Sequence, residues 1–191
     1  MTLGFTGGSG AGKSTALRIL EEEFNGAVID CDAIYRGLLE ENEDLKHEIA
    51  FTFPDCIVKG KVDRRVLASQ VFTDENKLVR LNKITHKYVA FEAESLLAIQ
   101  DGLAAIDAIA LLESGLKDLC DKVIVVTAPY EMRIARIMVR DELTEEEAKQ
   151  RINAQFDETY YTQRADYVLR NEGTQEEFEM KCRNLFSGIV Q

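Results

Sequence analysis

Residues Gly7-Gly8-Ser9-Gly10-Ala11-Gly12-Lys13-Ser14 match the spacing G-x-x-x-x-G-K-S/T. That spacing constrains the fold because it works only between a strand and a helix. Met1-Thr2-Leu3-Gly4-Phe5-Thr6 upstream reads as a short buried strand. Downstream, Leu17, Leu20 and Phe24 recur at helical spacing. In that context Gly8, Gly10, Ala11 and Gly12 form a phosphate-binding loop. Their backbone N–H groups turn inward as an anion nest, and the following helix, through Thr15, adds the partial positive charge of its N-terminus. Lys13 reaches toward β- and γ-phosphates, and Ser14 offers a hydroxyl to Mg²⁺. The pattern therefore predicts ATP and Mg²⁺ as cofactors. The alternative, a glycine turn with a chance Lys-Ser pair, leaves the flanking strand and helix unexplained.

The chain of 191 residues suits one domain with an inserted subdomain. A net charge of −11 argues against nucleic acid as the main partner, although local cations can still hold an anionic substrate. No run approaches the ~20 apolar residues of a membrane span. The opening residues lack the basic start of a signal peptide. Cys31, Cys56, Cys120 and Cys182 show no C-x-x-C spacing, so reduced thiols in a cytoplasmic protein are expected rather than a zinc site.

After the first helix, closed by Asn25-Gly26 with Gly26 as the expected cap, Ala27-Val28-Ile29-Asp30 reads as a strand ending in Asp30-Cys31-Asp32. Ligands of open α/β sheets sit at the carboxyl ends of strands. If both carboxylates are extended they face one side, one as general base and the other toward Mg²⁺; either can instead cap the next helix. From Ile34 to about Gly102 apolar residues recur at helical spacing, with a break at Phe53-Pro54-Asp55, a turn or hairpin at 58–62, a helix carrying Val71 and Phe72, and a cap-like Thr73-Asp74. An insertion this long exceeds a simple crossover helix. Arg64, Arg65, Lys83, His86 and Lys87 within it can meet an anionic acceptor or simply face solvent.

The run from Ala104 to Leu112 reads as a strand interrupted by Asp107. A carboxylate inside an apolar strand needs a partner. Hydrated Mg²⁺ or the Lys13/Ser14 region would supply one, and a surface strand end is the alternative. Glu113 falls where that strand should end. Lys122–Thr127 is β-branched and reads as a central strand. The next helix places Arg133, Arg136 and Arg140 on one face, and Thr144-Glu145-Glu146-Glu147 opens another with a capping box. Such a hairpin suits a phosphoryl-transfer lid, or a solvated charged surface. Ala165–Arg170 is the last strand; its turn, with Asn171 and Gly173, can pass over an adenine base.

These segments predict an α/β fold, a P-loop kinase three-layer sandwich. It has a mostly parallel five-stranded sheet, a helical acceptor-binding insertion over 36–103 and a helical lid over 136–162.

The ordered set resembles the dephospho-coenzyme A kinase family nearly end to end. The carrying stretches are Gly4–Thr15, Val28–Asp32, Asp63–Leu67 with Val71-Phe72, Leu81–His86, Asp107–Leu116, Arg136–Asp141, Arg151–Gln155 and Ala165–Val168 with Asn171-Glu172-Gly173. The resemblance implies Mg²⁺-dependent transfer of the ATP γ-phosphoryl group to the 3′-hydroxyl of dephospho-coenzyme A, the last step of coenzyme A synthesis. It matches Asp32 to the proposed base, Arg140 to a lid arginine and Lys13 to the phosphate lysine. Expected nucleotide contacts are the loop, Arg136, Asn171 and Gly173; expected acceptor contacts are Asp32, Arg64, His86 and Glu113; expected metal contacts are Ser14 and Asp107. A monomer or small homo-oligomer is expected. The sequence departs from the family at Cys31, Tyr35, Lys87 and Ile109, where Ala, a smaller residue, Pro and Pro are usual. Rival readings are a nucleoside or nucleoside-monophosphate kinase and a non-catalytic nucleotide-binding module.

Overall fold

Alternation along the first strand sets the layers. Leu3 and Phe5 of β1 (Thr2–Thr6) are buried in a cluster with Ala16, Leu17, Ile19 and Leu20 of α1 (Lys13–Phe24) and Phe178, Cys182 and Phe186 of α9 (Gln175–Val190). Gly4 faces the other way, where a Cβ would lie 2.7 Å from Leu111. The computed structural model describes residues 1–58, 60–71 and 74–190. Lys59, Phe72 and Thr73, which the sequence reading included in a turn, a helix and a cap, lie outside the described residues.

β1 is the middle strand of a five-stranded sheet ordered β2 (Ala27–Asp30), β5 (Ala104–Asp107), β1, β6 (Lys122–Thr127), β7 (Tyr167–Arg170). β1 runs parallel to both β5 and β6, and β6 parallel to β7. Val123 and Val125 are as buried as Ile124 and Val126. Burial of both faces is what a parallel sheet covered by helices on both sides demands. The predicted α/β class therefore matches the observed architecture.

By contact density the chain divides into two compact units, residues 1–29 with 100–191, and residues 30–99. The second unit contains α2 (Cys31–Glu41), α3 (Glu43–Thr52), a hairpin of β3 (Ile57–Val58) and β4 (Lys61–Val62), α4 (Arg64–Val71) and α5 (Glu75–Ala98). It has its own core of Leu39, Leu45, Ile49, Phe53, Cys56, Leu67, Val71 and Leu81. The first unit is completed by α6 (Tyr130–Asp141), α7 (Glu145–Asn153) and α8 (Glu158–Thr162).

Local chemistry corrects several boundaries. The left-handed residue ending α1 is Asn25, at φ 53°, not Gly26. Asparagine tolerates that region because its short amide side chain bonds locally. The single helix expected before Pro54 is two, because the Asn42 side-chain Oδ1 accepts from the Leu45 N–H at 2.8 Å and starts a new one. The strand expected over 104–112 stops at Asp107. Asp30 and Asp32 are not both extended. Asp30 caps α2 by accepting from the Ala33 N–H at 2.9 Å, and Asp32 lies in the first helical turn.

Phe186 is fully buried and meets Phe5 and Phe24 edge to face, with ring centroids 6.0 and 5.5 Å apart. Phe186→Ala should cost about 3–5 kcal/mol in urea unfolding, the usual range for deleting a core aromatic. Phe91→Ala, at a position 69% exposed, should stay within about 0.5 kcal/mol of the parent.

Candidate active site

The phosphate loop is shaped from outside by its carbonyls. The Ala11 N–H closes a turn onto the Gly8 carbonyl at 3.1 Å, with Gly10 at φ +78° in its third position. Arg133 donates its Nε–H to the Ser9 carbonyl at 2.9 Å. Arg136 Nη1 donates to the Gly10 and Ala11 carbonyls at 3.2 and 3.4 Å. Asn171 Nδ2 donates to the Ala11 carbonyl at 3.0 Å, and its Oδ1 accepts from Arg136 Nη2 at 3.1 Å. In a planar trans peptide the C=O and N–H point opposite ways. Holding the Ser9 and Ala11 carbonyls on the arginine side therefore turns the Gly10 and Gly12 N–H groups away from it. Gly12, at φ +101°, caps α1, and no side chain caps that helix among the described residues. A Cβ on Gly12 would lie 2.3 Å from Asn171 Nδ2, so close approach as well as φ requires glycine.

Lys13, the first residue of α1, pairs with Asp107 at the end of β5. Their side chains are 17% and 20% exposed, so both charges stay near solvent. This is the partner that the interrupted strand required. Ser14 is exposed beside Lys13, and Thr15 donates its N–H to the Gly12 carbonyl at 3.1 Å. Among the described residues no group of three or more His, Cys, Asp or Glu forms a metal cluster. One carboxylate and one hydroxyl nevertheless suit Mg²⁺, which keeps several waters and takes phosphate oxygens as ligands. The donors present fit that ion.

The arginine face divides by partner. Arg133 and Arg136 turn toward the loop, whereas Arg140 is held by Asp141, its Nε and Nη2 each 2.8 Å from the carboxylate. Arg151 pairs with the same carboxylate, and these cations hold Asp141 below the usual carboxylate range. Burial pushes the Arg133 guanidinium down from its ordinary value. Asn171 is buried against the loop backbone and also donates its own N–H to the Thr127 carbonyl at 2.8 Å. Gly173 lies over Glu177, whose carboxylate accepts from the Thr174 N–H at 2.9 Å in a second capping box.

Glu113 is exposed by area but surrounded by enough protein that desolvation raises its carboxyl, against the Tyr160 hydroxyl and Arg164. Tyr160 stacks on Phe156 at 4.1 Å, with Arg164 4.1 Å from its ring centroid. In the helical unit Asp32 and Arg64 are exposed, and His86 is half-buried. Tyr35, one of the departures from the family, packs against that unit's core. Burial raises its phenol, and Arg64 opposes this.

The sequence places Ser9 in the glycine loop and Gln155 in the stretch Arg151–Gln155 without a contact for either, and it does not show the loop-holding role of Arg133. Ser9 donates its N–H to Gln155 Oε1 at 3.0 Å across 146 positions of sequence. The one local signal was the spacing of three between Arg133 and Arg136.

The sequence model of the family described as dephospho-CoA kinase matches residues 1–177. The dephospho-CoA kinase of Corynebacterium diphtheriae is 36% identical over 192 positions, covering 96% of this chain and 94% of that protein. A crystal structure from Thermus thermophilus superposes with a TM-score of 0.83 at 32% identity, covering 100% of this chain and 98% of that one. A dephospho-CoA kinase structure from Campylobacter jejuni gives 0.69 at 26% identity, with coverage of 99% and 96%.

Asn171→Ala should cost about 1–3 kcal/mol in urea unfolding, because it orphans buried polar partners. Calorimetric ATP affinity should fall with it. Burial also lowers the His86 imidazole pKa. The unfolded chain then binds the extra proton first, so stability is full above the ordinary value near 6.5 and declines as pH falls through and below it. Urea midpoints at pH 7.5 and 5.0 should differ less in His86→Asn than in the parent.

Proposed function

This chain belongs to the dephospho-CoA kinase family, which acts in coenzyme A biosynthesis, and we propose how its residues divide the work of phosphoryl transfer. The observation that carries the reading is the loop whose carbonyls are tied outward by Arg133, Arg136 and Asn171. Such a loop offers N–H donors to phosphate before any ligand arrives, and preorganised donors cost no rearrangement at the moment of reaction.

ATP seats its phosphates on Gly8–Thr15, with Lys13 at the β- and γ-phosphates. Arg136, Asn171 and Gly173 form the nucleotide side, the first two by holding the loop. Dephospho-coenzyme A meets Asp32, Arg64 and His86 in the helical region 36–103 and its flank, and Glu113 is a further acceptor contact. His86, with its lowered pKa, serves there as a neutral hydrogen-bonding group. Asp32 takes the proton of the ribose 3′-hydroxyl. That oxygen bonds to the γ-phosphorus as the bond to the β–γ bridging oxygen breaks, leaving ADP. Lys13 and Arg140 balance the charge on the moving phosphoryl group; the lid over 136–162 brings Arg140 in, exchanging Asp141 for phosphate. Ser14 would hold Mg²⁺ directly, and Asp107 through its outer shell. That ion, when bound, supplies charge stabilisation to the phosphate oxygens. Positioning and electrostatics thus carry the rate. We place the enzyme in the cytoplasm; no helix among the described residues is long and apolar enough to cross a membrane.

Asp32→Asn should lower kcat for dephospho-coenzyme A phosphorylation by about 100-fold or more, in the range of a lost general base. Its ATP dissociation constant should stay within about twofold of the parent's. Near-normal turnover would remove Asp32 from the role of base.

A further inference from the structure

Gln155 follows Ala154, the C-terminal cap of α7, and Ile152 of that helix is buried with Ile134, Ile137 and Ala148 in the core between α6 and α7. The Gln155 N–H donates to the Ile152 carbonyl at 3.1 Å. Its backbone is thereby anchored to the α6–α7 hairpin, while its side-chain amide reaches the phosphate loop. Gln155 Oε1 accepts from the Ser9 N–H at 3.0 Å and from Arg133 Nη2 at 3.1 Å. Gln155 Nε2 donates to Ser9 Oγ at 3.0 Å. Arg133 closes the ring through its bond to the Ser9 carbonyl at 2.9 Å. Ser9 thus has its N–H, its carbonyl and its hydroxyl all engaged by two side chains of the hairpin.

We propose that Gln155 is a positioning residue for ATP, latching the α6–α7 hairpin to the phosphate loop through Ser9 and Arg133. This rests on the reading that ATP phosphates seat on that loop. The chemistry of an amide suits the task. One oxygen has two lone pairs for the two donors, and the NH₂ serves the hydroxyl. A carboxylate at the same place would accept as well, but would set a negative charge beside the phosphates. The Ser9–Gly10 peptide is the hinge of the argument. It lies between the second and third positions of the Gly8–Ala11 turn, and its rotation separates a type I from a type II turn. Arg133 fixes that peptide by its carbonyl, and Gln155 fixes Arg133 and the preceding N–H. Loss of Gln155 frees the peptide to rotate and carries the Gly10 N–H off the phosphate side. Gln155 touches no reacting atom; it acts through Ser9 and Arg133.

The test uses the full chain as wild type, Gln155→Ala, Ser9→Ala and the double variant. ATP affinity is measured without acceptor by calorimetry, then the KM for each substrate and kcat. Gln155→Ala should weaken ATP binding and raise the ATP KM about tenfold, as expected for several lost hydrogen bonds. The dephospho-coenzyme A KM should stay within about twofold. Ser9→Ala removes one bond of the ring and should have the smaller effect. The double variant should match Gln155→Ala alone, because residues of one network are not additive. Unchanged ATP affinity, both KM values rising together, or independent multiplicative effects would each overturn the latch. A wild-type protein that binds ATP but does not phosphorylate dephospho-coenzyme A would overturn the functional reading and leave the affinity comparison intact.

Discussion

A backbone can offer its N–H groups to a ligand only if its carbonyls are satisfied elsewhere. The site depends on that constraint. A loop of Gly-Gly-Ser-Gly-Ala-Gly has little side-chain material with which to stiffen itself, and its glycines carry a large conformational entropy when free. The order comes from Arg133, Arg136 and Asn171, contributed by α6 and by the turn after β7. Those elements can hold the loop because they are themselves fixed. Ile134 and Ile137 bury the inner face of α6, and β7 is pinned to β6 in parallel register. The sheet thus acts on the phosphate site through a small set of directed hydrogen bonds.

The same logic explains why Asn171 is an amide. Its Nδ2 donates to the loop carbonyl while its Oδ1 receives Arg136, so the side chain both holds the loop and orients the arginine. Aspartate lacks the donor and leucine lacks both. Gly12 is the complement of this contact, its missing Cβ being the space the amide occupies. Two positions separated by 159 residues therefore constrain each other's identity as tightly as neighbours in a turn.

What was legible in the sequence had a local or periodic signature. The phosphate loop, the β-branched strand Lys122–Thr127 and the capping box at Thr144 could be read because their logic fits within a few residues. Asp107 was legible because a charge in an apolar run demands a partner, and the structure gives it Lys13. The strand length after Asp107 was misread, since apolar residues serve equally in the buried turn that carries Leu111. The break at Asn42 was hidden because the apolar spacing continues on either side of it. Ser9, Arg133 and Gln155 were illegible as a group. A side chain bonding a distant backbone imposes no period, so the stretch Arg151–Gln155 could be noticed while the partner of Gln155 could not.

The division among the arginines resolves an apparent conflict between composition and chemistry. A chain with net charge −11 repels phosphate on average. Several arginines away from the loop are spent on carboxylates: Arg18 on Glu22 and Glu179, Arg183 on Glu23 and Glu179, Arg140 and Arg151 on Asp141. Such pairs cancel locally and are screened by salt. Arg133 and Arg136 instead bond to neutral acceptors, the carbonyls of Ser9, Gly10 and Ala11 and the amides of Gln155 and Asn171. A neutral acceptor satisfies a guanidinium without cancelling its charge. These two cations are partly buried, where the low dielectric preserves their field. They stand behind the loop while the Gly10 and Gly12 N–H groups face the opposite side, so those backbone dipoles and the arginine charges point the same way. An acidic protein can thereby keep a strongly positive place for phosphate, and it does so by choosing amides and carbonyls over carboxylates as the partners of two arginines.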